Sequence, residues 1–219
     1  KGIKMQDIWL VRHAESLANA GMATDSYDAI ALTDKGLQQA EQLANKWLKQ
    51  PDLIICSPYL RAVQTAAALQ RKYPNVPSQT WAIQEFTYLS QANCQQTTTT
   101  TRKPLVQAYW ERLDVDYCDG ETAESFADFI ARARAALLAL ENETANFVTL
   151  FGHGQFMHAM IWLLWHKPVL IDRHAMQSFY AFMQAVRLPN TAIIKLRRLA
   201  NERTLYVGGI DVAHVLQFN

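Results

Sequence analysis

The stretch Asp7-Ile-Trp-Leu-Val-Arg-His13 is a short apolar run that ends in an arginine and a histidine. An uninterrupted apolar run of this length is typical of a strand that is buried on both faces of a parallel sheet. Further strand candidates follow at residues 53–56, 78–83, 147–151, 192–196 and 205–207.

Helical patterns lie between these strands. Thr33 can cap a helix whose apolar residues recur at helical spacing. Ser57-Pro58 predicts a second helix start, with serine as the cap and proline at the first helical position. Helices are also expected to begin at Pro104, near Ala123 and after Gly152-His153-Gly154. This alternation predicts an α/β fold of three layers, α/β/α, with a mostly parallel central sheet and helices on both faces.

The chain length points to one domain. Its 219 residues suffice for one well-buried α/β domain and are few for two, and neither an internal repeat nor a convincing linker interrupts them. We therefore expect a single domain over residues 1–219. Residues 1–4 precede Met5, and both a native and an expression-derived origin stay open for them.

Charge and cysteine content limit the classes of partner. The formal charge of +1 provides no global field that would gather nucleic acid or an anionic membrane. Cys56, Cys94 and Cys118 are odd in number and form no CxxC pair, which favours reduced thiols in the cytoplasm. The apolar run at residues 156–165 is about half of the roughly 20 residues that span a membrane. We expect a cytoplasmic protein with no nucleic-acid and no membrane partner.

Polar residues with possible chemistry follow three of the predicted strands. The first motif is Leu10-Val-Arg-His-Ala-Glu-Ser16, with Asn19 three residues further on. A neutral imidazole is a good nucleophile towards phosphorus, and an adjacent guanidinium can hold two phosphate oxygens. Taken alone, an Arg-His pair is more often a solvated strand end.

The other two motifs favour an anion near a helix start. Ser57-Pro-Tyr-Leu-Arg61 places an arginine in the first turn of a helix, and Phe151-Gly-His-Gly154 sets a histidine between glycines at a strand-to-helix turn. Singly, these motifs also fit an ordinary helix start and a tight turn. Because ligands of such sheets bind beyond the carboxyl ends of the strands, the residues by themselves indicate a phosphate-binding α/β enzyme.

The three motifs, in this order, resemble the histidine phosphatase superfamily, which also contains the cofactor-dependent phosphoglycerate mutases. The resemblance rests on the Arg12-His-Ala-Glu15 signature, on Ser57-Pro-x-x-Arg-x-x-x-Thr65 and on the late second histidine, His153, and it covers most of the chain. It implies that His13 is a nucleophile that forms a covalent phosphohistidine.

The resemblance also implies roles for the surrounding residues. Arg12, Arg61 and His153 would neutralise charge on the transferring phosphoryl group, with His153 counted among the catalytic residues. Asn19 would donate a further hydrogen bond, and the helix start at Gly154 would contribute to phosphate binding. Neither a metal nor a cofactor is expected, since these side chains supply the positive charge.

Glu85, in Ile83-Gln-Glu-Phe86, occupies the position at which the family places a carboxylic acid. As general acid it would protonate the leaving oxygen and then activate water. An exposed loop glutamate is the structural alternative, and Asp25, Glu121 and Glu124 compete for the role. The segment 86–103, which is polar and irregular from residue 90 and contains five consecutive threonines, is predicted as a mobile loop or a substrate lid.

The expected activity is metal-independent hydrolysis of a phosphomonoester, on either a small phosphorylated metabolite or a phosphoprotein. Two alternatives stay open. One is a phosphoglycerate mutase-type transferase, against which the glycine-free segment Phe86-Thr-Tyr-Leu-Ser90 argues. The other is a non-catalytic phospholigand-binding module. Trp162 and Trp165 lie on an apolar helix and predict either core packing or the face of a homodimer.

Overall fold

The structure is a computed structural model that describes residues 5–168 and 170–215. Residues 1–4, whose origin is open, lie outside the described residues. Within these ranges one sheet has the strand order β3-β2-β4-β1-β5-β6. The strands are β1 (Gln6–Arg12), β2 (Leu53–Cys56), β3 (Ser78–Thr80), β4 (Phe147–Gly152), β5 (Ile193–Arg198) and β6 (Leu205–Asp211).

The helices cover both faces of this sheet. They are α1 (Asp34–Lys46), α2 (Leu60–Lys72), α3 (Gln91–Cys94), α4 (Lys103–Arg112), α5 (Phe126–Asn142), α6 (Gly154–His166) and α7 (Arg173–Ala185). Helices α1 and α2 pack with Val11 and Ile54 in one apolar cluster, whereas α5, α6 and α7 pack with Ile8 and Ile55 in another. The predicted three-layer α/β/α fold is confirmed. No helix of the described ranges is long and apolar enough to cross a membrane.

Strand direction brings the polar segments together. β4 is buried along its whole length between β1 and β2 and is parallel to both, and β3 is parallel to β2. The carboxyl ends of β1 to β4 therefore meet at one edge of the sheet. β5 and β6 are antiparallel additions beyond β1. A strand buried on both faces needs a continuous apolar run, which is what residues 147–151 supply.

Two local predictions need correction, and one helix corresponds to no predicted element. Helix α2 begins at Leu60, with Tyr59 in the cap position; Ser57 Oγ accepts from the Tyr59 amide at 3.3 Å in the turn before the helix and lies 2.7 Å from His153 Nε2. β3 ends at Thr80 rather than residue 83, since its exposed edge gives it only one neighbouring strand. Helix α7 was not foreseen, although Asp172 caps it through a hydrogen bond from the Ala175 amide at 2.9 Å.

Gly36 is expected to tolerate no side chain. It lies buried in the first turn of α1, and a Cβ there would overlap the backbone carbonyl oxygen of Glu15. Alanine would raise helix propensity by about 1 kcal/mol, but overlap with backbone cannot be relieved by a rotamer change, and overpacking costs about 1–3 kcal/mol or more. We expect Gly36→Ala to lower the free energy of unfolding, measured in urea, by at least about 1 kcal/mol. Gln38→Ala, exposed on the same helix, is the control; an equally stable Gly36→Ala would contradict the prediction.

Candidate active site

His13 follows the last residue of β1, and the structure fixes the tautomer of its ring. Its Nδ1 lies 2.7 Å from the carbonyl oxygen of Ala14, which can only accept a hydrogen bond. Its Nε2 lies 3.3 Å from Arg61 Nε, which can only donate. The proton is therefore on Nδ1, and Nε2 carries the lone pair.

Burial keeps this ring uncharged. Only 4% of the His13 surface is exposed. Burial holds the pKa of His13 well below the ordinary value of an imidazole, and the positive charges of Arg61 and Arg12 lower it further. The ring is consequently neutral at neutral pH, as a nitrogen nucleophile must be.

Two arginines lie beside His13. Arg61, from the first turn of α2, also donates from Nη1 to the Tyr27 carbonyl at 2.7 Å. Arg12 donates from Nη1 to the Leu188 carbonyl, and its buried Nε has no hydrogen-bond partner among the described residues. Burial lowers the pKa of both arginines, to about 10 for Arg61, while the Glu85 carboxylate opposes this effect. Both remain cations at neutral pH.

His153 follows β4 and is fully buried. Its ring centroid lies 5.2 Å from that of His13. Its Nε2 is 2.7 Å from Ser57 Oγ, so the serine after β2 holds the second histidine. Its Nδ1 is buried without a partner in the part of the chain that the structure describes. Burial, with Arg61 second, keeps the pKa of His153 well below its usual value.

The side chain of Glu85 contacts the amino end of α6. Its carboxylate accepts hydrogen bonds from the backbone amides of Gln155 and Phe156, both at 3.2 Å, and from its neighbour Phe86 at 3.1 Å. The amino end of a helix favours a carboxylate at this place. These contacts fix the carboxylate in a half-buried position beside the two arginines.

These groups share one cavity of about 310 Å³. Five of the predicted site residues line it: Arg12, His13, Asn19, Arg61 and Glu85. His153 and Gly154 lie beside these residues rather than in its lining. The space beside Gly154 is taken by Arg12, whose Nε would be 3.4 Å from a Cβ at that position.

The segment predicted as a lid also lines this cavity. Phe86, Tyr88 and Leu89 form an apolar wall, and Thr99 and Arg102 contribute polar groups. The threonine run is an ordered turn, in which the Thr98 amide donates to Thr101 Oγ1 at 2.9 Å and the Thr101 amide donates back to Thr98 Oγ1 at 3.1 Å. That this segment opens and closes stays a prediction.

The competing carboxylates lie elsewhere. Asp25 and Glu121 are exposed and do not line the cavity. Glu124 forms a two-point ion pair with Arg132, at 2.8 and 2.7 Å. Arg132 also donates to the carbonyls of Ala82 at 3.0 Å and Gln84 at 2.8 Å, so the ion pair supports the segment that leads into Glu85.

Comparison with known proteins identifies the family. The profile of the histidine phosphatase superfamily (branch 1) matches residues 8–206. The chain belongs to the histidine phosphatase superfamily. No curated protein is significantly similar to it in sequence.

Solved histidine phosphatase structures share the fold at low sequence identity. A phosphoserine phosphatase mutant from Entamoeba histolytica, in complex with phosphoserine, has a TM-score of 0.70 and 19% identity, covering 96% of this chain and 99% of its own. The same enzyme with 3-phosphoglyceric acid gives 0.68 and 19%, with the same coverage. A mycobacterial glucosyl-3-phosphoglycerate phosphatase gives 0.65 and 21%, covering 89% and 91%.

The histidine phosphatase site contains residues that the sequence alone did not reveal. The Tyr27 carbonyl accepts a hydrogen bond from Arg61, and Ser57 Oγ lies within hydrogen-bond distance of His153 Nε2. Asn190 donates to the His13 carbonyl and to Asn19 Oδ1. Ser57 was within a quoted motif, but its local pattern indicated a helix cap. The only sequence signal at Asn190 is its position between Pro189 and the β5 candidate, which does not indicate a role in the site.

The two buried histidines of the site, His13 and His153, predict a pH-dependent stability. In the unfolded chain their pKa is about 6.5, whereas burial holds it well below that in the folded protein. Below pH of about 6.5 the unfolded state therefore binds protons that the folded state does not. The free energy of unfolding should fall as pH drops from about 6.5 towards the folded pKa, by up to about 1.4 kcal/mol per pH unit for each histidine.

Urea unfolding between pH 7.5 and 5 measures this slope. His153→Gln removes one titrating ring, so its slope should be shallower than that of the wild type. The exposed His174 provides the control, since His174→Gln should leave the slope unchanged. An identical slope in the wild type and His153→Gln would contradict the prediction.

Proposed function

We propose that the protein hydrolyses phosphomonoesters through a covalent phosphohistidine at His13. The observation that carries the proposal is the neutral His13 ring, whose Nε2 lone pair faces Arg61 in a cavity that Arg12 and Glu85 also line. Arg12 Nε and His153 Nδ1 add support, because buried polar atoms without a partner within the described residues are uncommon and favour a bound ligand.

In the first step, the Nε2 lone pair attacks phosphorus and the bridging P–O bond breaks. The electron pair goes to the leaving oxygen, which takes the proton that Glu85 carries in its carboxylic acid form, and Glu85 becomes the carboxylate that the second step needs. The ring acquires positive charge while its Nδ1 proton stays bonded to the Ala14 carbonyl, 2.7 Å away. Arg61 leaves Nε2 and, with Arg12, neutralises charge on the oxygens of the transferring group, while the neutral His153 ring offers it a hydrogen bond, so that the proposed reaction needs no metal.

In the second step, water replaces the departed alcohol. The Glu85 carboxylate takes a proton from this water, whose oxygen attacks phosphorus. The P–N bond breaks, its electron pair returns to His13 Nε2, and inorganic phosphate leaves. Asn19 lines the cavity beside His13 and contributes a donor to the phosphoryl oxygens throughout.

The dimensions of the cavity favour a small metabolite over a phosphoprotein. A volume of about 310 Å³ is at the lower limit of small-molecule pockets. The named relatives also support hydrolysis, since the enzymes from Entamoeba histolytica and mycobacteria are phosphatases of a phosphorylated amino acid and of a glucosylated phosphoglycerate.

Hydrolysis of para-nitrophenyl phosphate in excess EDTA tests the proposal. Turnover should survive chelation, and rapid alkaline quenching should trap phosphate on a histidine of the wild type. Incubation with 3-phosphoglycerate distinguishes hydrolysis from mutase chemistry, since a mutase would isomerise it faster than it releases phosphate. The absence of both turnover and a trapped phosphohistidine, with aryl and alkyl substrates alike, would refute the proposal.

A further inference from the structure

The segment at residues 188–191, between α7 and β5, forms hydrogen bonds with Arg12 and His13 at the end of β1. The Leu188 carbonyl accepts from Arg12, as described above. The Thr191 amide donates to the carbonyls of Arg12 at 3.1 Å and His13 at 3.4 Å. Thr191 has a φ of +63°, which is uncommon for a β-branched residue. The surrounding contacts therefore hold this segment against its local backbone preference.

Asn190 connects the segment to two residues of the site. Its Nδ2 donates to the His13 carbonyl at 3.0 Å and to Asn19 Oδ1 at 2.9 Å. Both partners are acceptors. If the Asn190 amide were rotated by 180°, its oxygen would face two other oxygens and the hydrogen bonds would be lost. The hydrogen bonds thus select one orientation of the Asn190 side chain.

This orientation determines the orientation of Asn19. Asn19 Oδ1 accepts from Asn190 and, at 3.3 Å, from the Ser16 amide. Because two donors occupy Asn19 Oδ1, the NH₂ group is the part of the Asn19 amide that can contact a ligand. Asn19 is exposed, so nothing in its burial would otherwise choose between its two amide orientations. The reversed orientation would direct an oxygen at an anion.

We propose that Asn190 is a positioning residue, which holds the Asn19 amide with its NH₂ group available to phosphate. The inference rests on the proposed function, because the group that Asn19 would contact is the phosphoryl group of the substrate. Asn190 itself touches neither substrate nor the reacting atoms in this scheme. Its other hydrogen bond reaches the backbone carbonyl of His13 and not the His13 ring, so its effect on phosphate should pass through the Asn19 side chain.

A double-mutant cycle tests this dependence. A hydrogen bond to a charged group contributes about 1.5–3 kcal/mol, so Asn19→Ala should lower the affinity for inorganic phosphate, and kcat/KM, by at least about tenfold. Asn190→Ala should cause a loss of similar size. The double variant should lie within about threefold of the weaker single variant instead of showing a hundredfold product, because both changes remove the same contact.

Variants at matched positions exclude a general effect on folding. Asn142, whose Nδ2 donates to the Leu138 carbonyl at 2.9 Å at the end of α5, provides the control, and Asn142→Ala should leave both readouts unchanged. Asn190→Asp keeps the side-chain volume and replaces the donor with an acceptor. Asn190→Asp should also lower phosphate affinity. It replaces Asn190→Ala in the cycle if the alanine variant does not fold.

The two readouts separate this inference from the proposed function. Calorimetric titration with inorganic phosphate reports binding, and turnover of para-nitrophenyl phosphate reports hydrolysis. Coupled losses in binding without wild-type turnover would support the role of Asn190 and refute the hydrolase. Additive losses, an unchanged Asn190→Ala or a wild type that binds no phosphate would overturn the role of Asn190, whatever the turnover.

Discussion

Replacing His13 with alanine is expected to lower turnover of every phosphomonoester substrate by on the order of 10⁴-fold or more. The variant lacks the only nitrogen that the proposed scheme uses to form the P–N bond, and the remaining arginines can bind phosphate without accepting it. The measurement is steady-state hydrolysis of para-nitrophenyl phosphate in excess EDTA, together with trapping of phosphate on the protein after alkaline quenching.

A matched histidine gives the control for this experiment. His174 is exposed at the start of α7, and His174→Ala should retain full turnover and the trapped intermediate. Phosphate binding by His13→Ala, measured by calorimetry, shows whether the site remains folded. Equal turnover in the wild type and His13→Ala would mean that another group is the nucleophile.

Replacing Glu85 with glutamine should separate the two chemical steps. An alkoxide leaving group needs a proton, whereas para-nitrophenolate leaves without one. Glu85→Gln should therefore lower the turnover of an alkyl phosphate by about 10²–10⁴-fold, with a much smaller effect on cleavage of the aryl substrate. Activation of water still requires the carboxylate, so the aryl substrate should give a burst of nitrophenolate and a trapped phosphohistidine that accumulates.

Glutamine keeps one oxygen, which can accept from the Phe86 and Phe156 amides as Oε1 does, and it loses only the Oε2 acceptor of the Gln155 amide, so the position of the side chain should survive the change. Glu121→Gln, at an exposed carboxylate outside the cavity, should behave like the wild type. Equal losses for aryl and alkyl substrates, with no burst, would rule out Glu85 as the proton donor in the first step.

The sequence predicted most of the fold because its central strands are continuous apolar runs. Residues 7–11, 53–56 and 147–151 form β1, β2 and β4, and the parallel pairing of these strands places the polar residues that follow them at one edge. The same reasoning brought His13, Arg61 and Glu85 to one cavity. Helix α7 corresponds to no predicted element, although Asp172 caps it and its buried residues Ala175, Met176 and Phe179 recur at helical spacing.

The supporting contacts were beyond the reach of sequence because they join distant parts of the chain. Ser57 lies 96 residues from His153, and Asn190 lies 171 residues from Asn19. Serine before proline is a good helix cap, so the local pattern gave no sign of the contact between Ser57 and His153. The tautomer of His13 depends likewise on Arg61, 48 residues away, and on the rotamers of both side chains.

The hydrogen bond from Arg61 to His13 Nε2 lets the site select substrates by their charge. While the guanidinium occupies the lone pair, the ring cannot attack any electrophile. A phosphomonoester dianion attracts the guanidinium to its own oxygens and so uncovers the nitrogen as it binds. A neutral phosphotriester brings no such charge, and the shielded ring is protected from phosphorylation by it. In the proposed scheme, the compound that releases the nucleophile is therefore also the compound that is hydrolysed.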